Sequence, residues 1–184
     1  MREGFSATYA LQAHHATVVS NSDGSVDSLR VSAATKRINH RGDTLNAATL
    51  GLDIDSPAAD VIRIHLSHHL GGKPAIKFPV TESQTELTAS VDDEWARISS
   101  GNLEARVSMG DTWNLEFVAN DKVIAHQRSR GLSFVIDDQG NHHLSAQMSL
   151  GVGEQVYGLG ERFTPFIKNG QAVDIWNEDG GTSS

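Results

Sequence analysis

The sequence predicts an all-β fold, an antiparallel β-sandwich, on three observations. Apolar residues recur with period two rather than 3.6, the pattern of strands that bury one face. Clusters of Gly, Pro, Asn, Asp and Ser fall at intervals that leave room for strands of roughly five to ten residues. The chain has 184 residues, 38% hydrophobic and 21% charged, enough to bury a core and near the globular norm.

Taken in order, the first turn signal is Asn21-Ser22-Asp23-Gly24. Leu50, Leu52 and Ile54 then alternate with Gly51 and Asp53, and Asp55-Ser56-Pro57 ends that run. Ile62, Ile64 and Leu66 alternate with Arg63 and His65 before the turn Gly71-Gly72-Lys73-Pro74. One segment dissents: Val91, Trp95 and Ile98 are spaced i, i+4, i+7, which suits a short helix. Leu103, Ala105, Val107 and Met109 share one face. After the break Gly110-Asp111-Thr112, Trp113, Leu115 and Phe117 resume the pattern, so the two runs are predicted to form a hairpin. Asn120-Asp121 and Asp137-Asp138-Gln139-Gly140-Asn141 are further turns, and Leu144, Ala146, Met148 and Leu150 form the last alternating run. Residues 150–184 hold seven of the 17 glycines and four of the 11 aromatic residues, a mix that suits shaped surface loops.

Composition excludes several functions. With 15 basic against 23 acidic residues and a formal charge of −8, a nucleic-acid partner is not expected, because phosphate neutralisation needs clustered Lys and Arg. The absence of cysteine removes disulfides, thiolate metal sites and a cysteine nucleophile. No run reaches about 18 apolar residues, so no membrane span is expected. The opening residues lack the basic and apolar blocks of a secretory signal, which makes the cytoplasm the expected compartment.

Candidate chemistry is sparse. His65, His68 and His69 suggest a metal, but on a strand His65 and His69 share one face and His68 the other, so no metal site is expected. No Gly-x-Ser-x-Gly elbow is present, and the glycines at 151, 153, 158 and 160 lack the lysine of a phosphate-binding loop; neither a catalytic triad nor a cofactor is expected. Glu178 and Asp179 are neighbours, whereas a retaining glycosidase pair faces across a bond at about 5–5.5 Å, so neither is assigned as catalytic. Trp176, Asn177 and Asp179 have the makings of a sugar subsite: an aromatic face for the C–H side of a pyranose, and an amide and a carboxylate for its hydroxyls. Loop closure and an Asx turn before Gly180-Gly181 are the structural alternatives.

Val156-Tyr157-Gly158-Leu159-Gly160-Glu161-Arg162-Phe163, Asn169-Gly170-Gln171 and Trp176-Asn177-Glu178-Asp179-Gly180-Gly181-Thr182 resemble the end of the N-terminal domain in glycoside hydrolase family 31. Ser100-Gly101-Asn102-Leu103-Glu104-Ala105-Arg106-Val107-Ser108 and Trp113-Asn114-Leu115-Glu116-Phe117 are similar to its α-xylosidase branch. The likeness runs from about Asp60 to the end. It implies a galactose-mutarotase-like supersandwich over 1–184, with 150–184 leading toward a catalytic (β/α)8 barrel absent from this chain. It also implies retaining hydrolysis of α-linked xylosyl or glucosyl residues by two barrel aspartates, with Asp179, Trp176 and Asn177 on the leaving-group side of the pocket. The implied partners are an oligosaccharide and the parent's barrel. A free-standing carbohydrate-binding sandwich is the rival reading, and a module forming a homo-oligomer through a sandwich face is a third.

Overall fold

The structure, a computed structural model, describes residues 3–45, 47–68, 85–160 and 163–175. The chain divides into two units, Met1–Ser149 and Leu150–Ser184. Every strand among the described residues lies in the first, where they form three antiparallel sheets.

The first sheet contains β2 (Gln12–Ser20), β3 (Val26–Ala34), β4 (Thr49–Asp55) and β5 (Arg63–Ser67), in that order; the short β1 (Ser6–Tyr9) belongs elsewhere. Leu29, Val31 and Ala33 on β3, with Leu50, Leu52 and Ile54 on β4, are fully buried, while the residues between them face outward. The second sheet comprises β6 (Leu87–Val91), β7 (Trp95–Ser100), β8 (Leu103–Ser108), β9 (Leu115–Ala119) and β10 (Lys122–Gln127). It buries Ala96, Ile98, Ala105, Val107 and Leu115. β3 lies against β6 and β7, and β2 against β6 and β8, so two apolar faces meet as in a sandwich. β11 (Leu132–Ile136) pairs with β1 on one side and β12 (His142–Ala146) on the other, adding Leu132 and Phe134 to the same core.

Short connections follow from turn chemistry. Asn120 and Asp121, at φ 50 and 60, form the two-residue link between Ala119 and Lys122, as a twisted hairpin requires. Gly101, at φ +57, begins the two-residue link between β7 and β8. Asp60 lies so close that its Oδ1 accepts the Asn102 amide at 2.6 Å. Ala10 and Leu11, between β1 and β2, tie two of the sheets to the connection between β8 and β9. The Ala10 amide donates to Leu132 O at 2.9 Å, the Leu11 amide to Ala34 O at 2.8 Å, and Leu11 O accepts from the Trp113 amide at 2.5 Å.

The sandwich and the hairpin of β8 and β9 agree with the sequence reading, with Val107 opposite Leu115. Two expectations are corrected. Val91, Trp95 and Ile98 form no helix: β6 and β7 are a hairpin with Val91 opposite Ala96, and Ile98 is buried against the other sheet. The helical spacing spans the Asp92–Glu94 turn, where the Asp92 carboxylate accepts the amides of Glu94 and Trp95 and fixes a bend. The last alternating run stops being strand at Ala146, and Leu144, Met148 and Leu150 are exposed. A period-two pattern reports a face, not what covers it.

Candidate functional site

The glycine-rich unit gets its shape from hydrogen bonds rather than from a ladder. Gly158, Leu159 and Gly160 run consecutively at φ 95, 68 and 83, a left-handed stretch that glycine makes inexpensive on two of its three residues. Asn169 is the tie: its Oδ1 accepts the Val156 amide at 2.8 Å and its Nδ2 donates to Glu154 O at 2.9 Å. The Lys168 amide returns to Val156 O at 2.8 Å. Its buried ammonium donates to Thr164 Oγ1 at 2.7 Å and Pro165 O at 2.8 Å. The rings of Tyr157 and Phe166 pack with centroids 5.1 Å apart.

What this fastening does not do is bury apolar side chains. Phe163 is 90% exposed and Phe166 78%, and Val152 and Ile175 are also open. The hydrogen bonds thus shape a loop that presents aromatic and aliphatic groups outward. Trp176, Asn177 and Asp179, the residues expected to touch sugar, lie outside the described residues, as do Glu161, Arg162, Glu178 and His69. The tail chemistry that can be placed is therefore the scaffold leading to them.

On the first unit, the ionisable groups serve the sheets. Burial opposes charge on Glu116, but the Asn114 amide and the Arg106 and Arg128 guanidinium groups outweigh it and hold the carboxyl below its usual range. Arg106 lies 2.7 Å and Arg128 3.0 Å from its oxygens. Asp137 is held well below the ordinary carboxylate value, first by His143 and then by Asn141, across the turn between β11 and β12. His65 sits opposite Asp53, while the His68 ring stacks on Phe134 at 4.3 Å and meets His142 edge-on at 5.3 Å; the third histidine of that run, His69, lies outside the described residues. Among the described residues no group of three or more His, Asp or Glu side chains converges as a metal site. No helix among them is long and apolar enough to cross a membrane.

The strands before Leu50 were not expected from the sequence, although β2 and β3 are the longest among the described residues. The signal was present in Leu29, Val31 and Ala33 alternating with Arg30 and Ser32, just beyond the Asn21–Gly24 turn.

Comparison with known proteins agrees with this architecture. Residues 51–184 match the glycosyl hydrolase 31 N-terminal galactose mutarotase-like domain. An α-xylosidase of Lactiplantibacillus pentosus is 35% identical over 149 residues, covering 80% of this chain and 20% of its own length. An α-xylosidase of Emericella nidulans is 34% identical over 168 residues, covering 79% of this chain and 21% of its own. The chain thus spans about a fifth of the length of these relatives. A crystal structure of an uncharacterized protein from Listeria monocytogenes superimposes over 95% of this chain and 15% of the other, with a TM-score of 0.65 at 16% identity, a likeness of fold alone.

Proposed function

The chain belongs to the N-terminal galactose mutarotase-like domains of glycosyl hydrolase family 31, and from that premise we propose that it is the non-catalytic sandwich, residues 1–184, of a retaining α-glycosidase of α-xylosidase type. The parent hydrolyses α-linked xylosyl or glucosyl residues of oligosaccharides, with both catalytic carboxylates on a separate barrel. The observation that carries this reading is the two α-xylosidase relatives, each about a third identical and about five times the length of the matched region.

In this reading, residues 150–184 are the seam with the barrel. The exposed Phe163, Phe166 and Ile175 supply apolar area for that contact. The hydrogen bonds of Asn169 and Lys168 hold the loop in shape beforehand, which lowers the ordering cost of docking. Asp179 accepts a substrate hydroxyl on the leaving-group side, flanked by Trp176 and Asn177, and it positions substrate rather than transferring a proton. The absence of cysteine suits a reducing compartment, and we place the parent in the cytoplasm.

The test is turnover of an aryl α-xyloside. The isolated chain is expected to show none, and the full-length parent to be active. In the parent, Asp179→Ala is expected to raise KM or lower kcat/KM by about 10-fold or more, the loss of a hydrogen bond to a charged group. Turnover by the isolated chain, or a parent lacking α-xylosidase and α-glucosidase activity, overturns the proposal.

A further inference from the structure

The outer face of the β2–β5 sheet carries a groove of about 480 Å³ that the glycosidase reading does not use. It lies wholly within the first unit and is built from two rungs of the sheet. Arg30, Asp53 and His65 are neighbours across β3, β4 and β5 in one rung; Ser32, Gly51 and Ser67 form the next. The second rung is low because its side chains are small, so it becomes a floor between the charged rung and the Thr49–His68 end. Gly51 keeps it low, since a Cβ there would sit 2.8 Å from Ser67 Oγ.

The chemistry of the lining narrows what it accepts. Arg30 and Asp53 pair at 3.1 Å and largely cancel, so an anion entering the groove meets a carboxylate and a cation meets a guanidinium. The hydroxyls of Ser32, Thr49 and Ser67 make no hydrogen bond to the described residues, and Asp53 Oδ1 is a shielded acceptor without a donor. His68 closes one end of the groove. Hydroxyls and a charge-balanced pair in a cavity of this size suit a neutral polyhydroxylated ring. We propose that this groove is a non-catalytic binding site for one pyranose unit of a neutral saccharide. Ligand hydroxyls replace water on the serines and Thr49, and a turn of Asp53 about χ2 offers its unpaired oxygen to one of them.

The test is titration of the isotope-labelled 184-residue chain with xylose, read by amide chemical shifts. The expected result is saturable shifts at Ser32, Gly51 and Ser67, half-complete at millimolar sugar. Ser32→Tyr, which fills the floor, is expected to weaken binding at least about 10-fold, and Asp53→Asn by about 3-fold or more. Circular dichroism reports whether Ser32→Tyr folds; if it does not, Thr49→Tyr at the rim gives the same reading. Absence of saturable shifts, shifts unchanged by the filling variant, or equal shifts with inorganic phosphate would each overturn the proposal. None of these variants is expected to alter aryl α-xyloside turnover by the parent, so failure of the groove and failure of the glycosidase reading are separate results.

Discussion

Gly101 shows how much a single residue can be asked to satisfy. Its φ of +57 is strained for any L side chain, and a Cβ would stand 2.4 Å from Asp60 Oδ1. That same oxygen takes the Asn102 amide, so Asp60 cannot retreat without giving up a hydrogen bond. Gly101→Ala is therefore expected to destabilise the chain by about 1–3 kcal/mol. Urea unfolding measures it: an unchanged midpoint would refute both the backbone strain and the clash with Asp60. Gly24 and Gly140 have similar φ values with open space around them, so alanine there meets only the backbone penalty.

At the scale of elements, the pieces are held by a few main-chain bonds as well as by apolar faces. Leu11 is the clearest case, donating to β3 and accepting from Trp113. Leu11→Pro removes the donor and leaves Ala34 O short of a partner, with an expected loss of about 1–3 kcal/mol. Hydrogen exchange would reveal the loss as weaker protection at the end of β3, and unaltered protection there would refute it. Such a junction was not legible in the sequence, because nothing local to Leu11 marks it. The β8–β9 hairpin and the strand at Leu50–Ile54 were legible, since alternation and turn residues are local signals that tertiary packing reinforced. At Val91–Ile98 the spacing misled because apolar residues on two strands and their turn fell by coincidence at helical intervals. For the site, family motifs pointed to Trp176, Asn177 and Asp179, while the sheet groove was invisible because its residues meet only through strand register.

For the molecule as a whole, acid is the expected weakness. Hydrogen bonds from Arg97 and from the turn amides hold Asp92 down at about 2, and Asp137 and Glu116 are also depressed. Each of these carboxyls binds protons more weakly folded than unfolded, so its contribution is complete above the unfolded value near 4 and fades as pH falls through the folded value. Urea midpoints are thus expected to hold from about pH 7 to 5 and to drop between about pH 4 and 2; a flat profile down to pH 2.5 would contradict this. Solution behaviour has a second expected determinant in β12, which among the described residues pairs with β11 on one side only. Its sequence, His142-His143-Leu144-Ser145-Ala146, contains neither lysine nor proline, the residues that commonly guard a free edge, and Leu144 is exposed upon it. In a concentrated preparation β12 is therefore the strand expected to pair with its counterpart on a second copy, and precipitation on storage is expected to slow when Leu144 is exchanged for lysine; an unchanged rate would contradict this.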